Sequence, residues 1–121
     1  MKKKAGWTTI LDTIGNTPLL RLERIAGFPI YAKAEYLNPG GSIKDRVARH
    51  MIEQAEKRGE LKSGMTIAEA TSGNTGIGVT FVGVRKGYRV IIVMPDNMSE
   101  ERRKIIKAFG GELICTPAGE S

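Results

Sequence analysis

Thr66-Ile67-Ala68-Glu69-Ala70-Thr71-Ser72-Gly73-Asn74-Thr75-Gly76 is a short strand that runs into a glycine-bracketed loop and then into a helix. That helix is expected to reach about Lys86, with Gly87 ending it. Arg89 to Met94 is a continuous apolar strand, of the kind found in parallel sheets covered on both faces. Pro95-Asp96-Asn97 turns the chain, and Ser99 is the expected cap of a helix that runs to about Phe109. Glu100 and Glu101 suit its first turn electrostatically, and Glu112 to Thr116 forms the last strand. Strands and helices alternating in this way predict an α/β, three-layer fold around a parallel sheet with right-handed βαβ crossovers.

Upstream, Asn38-Pro39-Gly40-Gly41 is a strong breaker and Ser42 a good helix cap. The helix behind it is expected to run to about Arg58, with an apolar stripe of Val47, Ala48, Met51, Ile52 and Ala55 and Gly59 just past its end. Before the breaker, Ile10 to Ile14 reads as a short helix and Gly15-Asn16-Thr17-Pro18 as a turn. Leu19 to Leu22 and Ile30 to Leu37 read as strands, the second by its alternation.

The net charge of +6 raises the question of nucleic acid. Lys2 to Lys4 form a tail, however, and most other basic residues lie among acids such as Asp45, Glu53, Glu56, Glu100 and Glu101, the pattern of a solvated face. No zinc-finger, homeodomain or aromatic RNA-binding signature is present, so no nucleic-acid partner is expected. Cys115 is the single cysteine, which points to a reducing compartment, and its strand position predicts a buried small hydrophobe. No apolar run reaches membrane-spanning length, and the polar residues Thr8, Thr9, Asp12 and Thr13 interrupt any signal-peptide core. The expectation is a cytoplasmic protein with no membrane partner and no metal site. His50 reads as a surface or packing residue, Met94 and Met98 as core, and Trp7 as a residue that packs on another chain or segment.

Two motifs carry chemistry. In Asn38-Pro39-Gly40-Gly41-Ser42-Ile43-Lys44-Asp45-Arg46 a lysine falls in the first turn of a helix, where the helix dipole disfavours the ammonium form. A lysine easily deprotonated is what Schiff-base chemistry requires. An exposed lysine beside Asp45 at an ordinary helix start is the plainer reading of the same residues. In residues 71–76, backbone N–H groups gather at a helix N-terminus and at the C-terminal end of a strand, a place suited to a carboxylate or phosphate. An ordinary βα turn is the alternative there. The loop fits neither Gly-x-Gly-x-x-Gly nor the P-loop pattern, so nucleotide binding is not indicated.

Taken in order, Lys33-x-Glu35, residues 38–46 and residues 71–76 resemble the cysteine synthase family of fold-type II pyridoxal-phosphate (PLP) enzymes, which includes the catalytic core of cystathionine β-synthases. Ile14-Gly15-Asn16-Thr17-Pro18-Leu19, Glu56-Lys57-Arg58-Gly59 and Met98-Ser99-Glu100-Glu101-Arg102-Arg103-Lys104 agree, so the resemblance runs from about Ile10 to the end of the sequence. It implies that Lys44 is the catalytic residue and carries PLP covalently, and that Asn74 contacts the cofactor's ring hydroxyl. It implies further that Thr71, Ser72, Gly73, Asn74 and Thr75 bind an amino-acid substrate, with Thr71, Ser72 and Thr75 holding its α-carboxylate. The implied reaction is β-replacement, converting O-acetylserine and sulfide to cysteine and acetate, in a homodimer.

The family's enzymes are longer than 121 residues, so the sequence reads as truncated, with the loop for the PLP phosphate expected outside it. On that reading residues 1–37 are strands belonging to a larger domain, and residues 38–121 are part of the small α/β domain. A chain of this extent is expected to be inactive alone and to self-associate. A non-catalytic, partner-binding fragment and a cystathionine β-synthase-type activity are the alternatives.

Overall fold

The computed structural model describes residue 6 and residues 8–118, so the readings of Trp7 and of Lys2 to Lys4 lie outside the described residues. A 3-10 turn at Ile10–Thr13 opens the fold under a capping box. There Thr9 Oγ1 accepts from the Leu11 N–H, and Asp12 accepts from the Thr9 N–H. Strand β1 (Leu19–Arg21), helix α1 (Glu23–Ala26) and strand β2 (Tyr31–Lys33) follow, β1 and β2 pairing antiparallel. Helix α2 spans Lys44–Lys57, and then come β3 (Thr66–Ala70), α3 (Asn74–Arg85), β4 (Arg89–Pro95), α4 (Glu100–Ala108) and β5 (Glu112–Thr116).

Strands β3, β4 and β5 form one parallel sheet in sequence order, Ile67 opposite Val90 and Ile92 opposite Leu113. The α/β class and the helix starts near Asn74 and Ser99 are as the sequence predicts. Right-handed crossovers between strands added in sequence order place both crossover helices on one face. On that face Val90, Ile92 and Met94 are fully buried and share a core with Val79, Val82 and Ile106, each contributing about 1.5–3 kcal/mol by leaving water. On the opposite face Ile91 and Val93 are only partly covered and Ile114 is exposed, so the second covering layer does not come from the described residues.

Helix α2 lies against α3 rather than on the sheet. Ala48 and Ile52 of its stripe enter the core, with Leu11 and Ile14 of the N-terminal segment, but Val47 and Met51 stay exposed. The expected strand over residues 30–37 stops at Lys33. Residues Glu35–Leu37 wind into a 3-10 turn, which turns the Glu35 carboxylate towards Arg46 instead of into a ladder. Cys115 is exposed, because its neighbour Met94 fills the core while β5 lies at the sheet edge. Ser99 makes no capping hydrogen bond. No helix among the described residues is long and apolar enough to cross a membrane.

Candidate active site

The breaker before α2 is a tied turn. Asn38, which is buried, donates to the Glu35 carbonyl (2.8 Å) and carboxylate (2.9 Å) and accepts from the Gly15 N–H (2.8 Å). Arg46 grips Glu35 through two bonds, Nε to Oε2 at 2.8 Å and Nη2 to Oε1 at 3.0 Å, and Thr17 donates its hydroxyl to the same carboxylate. Lys33 donates to the Thr17 carbonyl. The Arg46 guanidinium, with Thr17 and Asn38, holds the Glu35 carboxyl down at about 2.

That shift has a definite sign. Glu35 is ionised in the native state far below its ordinary value of 4.5, so its contribution to stability is complete above that value and disappears as pH falls through about 2. Glu35→Gln is therefore expected to unfold at lower urea than the parent at neutral pH, and the two midpoints should converge as pH drops from 4.5 towards 2. A gap that stays constant over this range would show that Glu35 acts by shape alone.

Directly behind this turn lies Lys44, the first residue of α2. The helix gains its cap from one residue earlier than its boundary suggests, since Ser42 Oγ accepts from the Lys44 N–H at 3.1 Å. The Lys44 side chain is half-buried, and its amine has no hydrogen-bond or ion-pair partner among the described residues. Asp45, which the sequence places on a solvated face, is instead fully buried and accepts from the Gly40 N–H at 2.5 Å.

The second motif is built at the C-terminal end of β3. Thr71 donates its N–H to the Val93 carbonyl at 3.0 Å, which fixes the loop to the sheet. The Gly73 N–H is taken by Thr71 Oγ1 at 3.3 Å, whereas the N–H groups of Ser72, Asn74 and Thr75 have no acceptor among the described residues. Ser72 and Asn74 are exposed, Thr71, Gly73 and Thr75 half-buried. A Cβ on Gly73 would meet nothing within 4 Å, so the loop faces open space. A cavity of about 320 Å³ adjoins it, lined by Ala70, Thr71, Ser72, Val93, Pro95 and Thr116 among others.

One contact joins the two motifs. A Cβ on Gly78 of α3 would lie 2.8 Å from the Lys44 carbonyl oxygen and 3.3 Å from the Asp45 nitrogen, so only glycine lets the first turn of α2 lie on α3 one turn beyond the loop. The two stretches come together because α2 and α3 pack along each other. Glycine inside a helix is the sequence signal that could have found this approach. The burial of Asp45 had no such signal. His50 is exposed and outside this arrangement, and the described residues contain no cluster able to hold a metal ion.

The chemistry on offer is a lysine amine and three backbone N–H groups, each without a partner among the described residues. Such an amine suits a carbonyl group, and such a loop suits a carboxylate or phosphate. Comparison with known proteins gives a consistent picture. The model of the pyridoxal-phosphate dependent enzyme family matches residues 10–121. A cysteine synthase of Staphylococcus aureus is 50% identical over 115 residues, which cover 93% of this chain and 37% of that protein. The crystal structure of a hydrogen sulfide-producing enzyme from Fusobacterium nucleatum superposes with a TM-score of 0.91 at 48% identity, covering 95% of this chain and 39% of the other. An O-acetylserine dependent cystathionine beta-synthase from Helicobacter pylori follows with a TM-score of 0.88 at 38% identity, covering 97% of this chain and 40% of the other. The chain thus spans between about a third and two fifths of the length of these relatives.

Proposed function

The chain belongs to the family of pyridoxal-phosphate dependent enzymes, and on that premise we propose that it carries the reactive lysine and the substrate loop of a cysteine synthase-like enzyme. The reaction is replacement of the acetate of O-acetylserine by sulfide, giving cysteine. The observation that supports this reading is the close packing of the Lys44 backbone against Gly78 of α3, the helix whose N-terminus carries the loop with the open amides of Ser72, Asn74 and Thr75.

Lys44 is the residue that holds PLP covalently, and Asn74 is the partner of the ring hydroxyl. PLP, when bound, supplies an electron sink for the substrate α-carbon. The remaining work belongs to the chain. Thr71, Ser72, Gly73, Asn74 and Thr75 bind the substrate, Thr71, Ser72 and Thr75 holding its α-carboxylate, with the free N–H groups of Ser72, Asn74 and Thr75 pointing charge at it. Lys44 would take the α-proton at Nζ. The Glu35–Arg46 clamp and the Ser42 cap fix the start of α2 without engaging the Lys44 amine.

Cystathionine β-synthase-type activity is the second reading, supported by the Helicobacter pylori enzyme at lower identity. A partner-binding role draws support from the hairpin, where Leu19, Ile25, Phe28 and Tyr31 are more than half exposed. We assign residues 1–37 to a larger domain and residues 38–121 to part of a small one on this account, in a cytoplasmic homo-oligomer.

The test is to incubate the chain with PLP, reduce with borohydride and map the modified lysine by mass spectrometry. Label concentrated at Lys44 is expected. Label spread evenly over the exposed lysines would refute the assignment.

A further inference from the structure

We propose that Asp45 is a positioning residue for Lys44: its enclosed carboxylate latches the backbone of Gly40 onto the first turn of α2 and so holds the turn over residues 38–42, and the lysine after it, in one place. The proposal rests on Lys44 being the reactive amine. Asp45 is 0% exposed, and its Oδ2 takes the Gly40 N–H at 2.5 Å. The carboxylate lies so close over Gly40 that a Cβ there would overlap it, coming 2.9 Å from Cγ. Oδ1 has no hydrogen-bond partner among the described residues.

An acid enclosed in this way is a poor choice for stability, because it loses water and gains one hydrogen bond and no counter-cation among the described residues. Burial pushes its carboxyl up from the ordinary range, with the Gly40 N–H opposing. Service to the helix dipole does not account for it. Glu100 and Glu101 serve the dipole of α4 from exposed positions, whereas Asp45 is turned inward onto a glycine. Successive helical residues are offset by about 100°, so anchoring Asp45 inward sets the bearing of Lys44. Gly78 blocks the lysine's backbone from the other side. These two contacts tie the first turn of α2 to Gly40 and to α3.

The readout is the rate at which PLP labels Lys44 under borohydride trapping, measured against exposed Lys107 in the same sample. Asp45→Asn retains an oxygen for the Gly40 N–H and is expected to keep the parental ratio. Asp45→Ala and Gly40→Ala, which break the latch from its two sides, should each slow Lys44 labelling by about tenfold or more while Lys107 is unchanged. Circular dichroism identifies variants that fold. Parental labelling in a folded Asp45→Ala or Gly40→Ala protein overturns the proposal, as does an equal loss in Asp45→Asn. Should both latch-breaking variants fail to fold, Asp45→Asn decides alone, retention supporting the latch and loss overturning it. A parent chain that labels Lys44 no faster than Lys107 would instead overturn the role of Lys44 itself.

Discussion

Lys44→Ala, placed in a chain of the relatives' full length, is expected to abolish covalent attachment of PLP and to lower cysteine formation by about a thousandfold or more, the loss of both nucleophile and base. The fold should not notice. The Lys44 side chain makes no hydrogen bond or ion pair among the described residues, and alanine is at least as good a helix former. Unfolding midpoints should therefore agree with the parent to within about 0.5 kcal/mol, as for other uncoupled surface changes. Ser42 would still cap the helix through the backbone N–H of residue 44. Cofactor attachment at the parental level would transfer the role to another lysine. Lys33 is a poor substitute, because its amine is already donated to the Thr17 carbonyl.

Residues 1–121 on their own are expected to give no measurable synthesis of cysteine from O-acetylserine and sulfide. On the proposed assignment the cofactor would find one covalent anchor, Lys44, and one ring contact, Asn74, and neither residue lines the cavity beside the loop. Fixed orientation accounts for about 7–11 kcal/mol of rate enhancement in favourable cases, and a cofactor free to swing on a lysine forfeits most of that. Ile25, Phe28, Tyr31 and Ile114 are more than half exposed, so self-association is expected in the same sample. The assay is run with PLP on the chain alone and again after mixing with the remaining portion of a cysteine synthase relative. Turnover only on mixing supports the expectation. Robust turnover by the chain alone, with host enzyme excluded, would end it.

Much of this fold is written in local pattern. β3, α3, β4, α4 and β5 fall within a residue or two of their expected places because apolar runs, glycine stops and, in α4, an acidic first turn agree there. Legibility fails where a distant partner overrides the pattern. Residues 34–37 alternate like a strand, but Glu35 is captured by Arg46, and the backbone bends to allow it. Asp45 looks like any first-turn acid until Gly40 is folded over it. Cys115 has the sequence setting of a core residue, and only the position of β5 at the sheet edge exposes it. For the site, the residues of each motif could be read one motif at a time. Their approach had one signal, the glycine at position 78 inside a helix, but that signal says only that something packs closely there and not that it is the first turn of α2.

That meeting is made through space. The segment connecting α2 to β3 runs over the surface, with Lys62, Ser63, Gly64 and Met65 all exposed, and the Met65 N–H closes its turn on the Lys62 carbonyl. Nothing in the partnership of lysine and loop passes along this stretch. The two halves of the chemistry are thus covalently neighbours only by habit of the gene: a circular permutant opened between Ser63 and Gly64, or a form split there into two polypeptides, keeps every contact that sets one motif against the other.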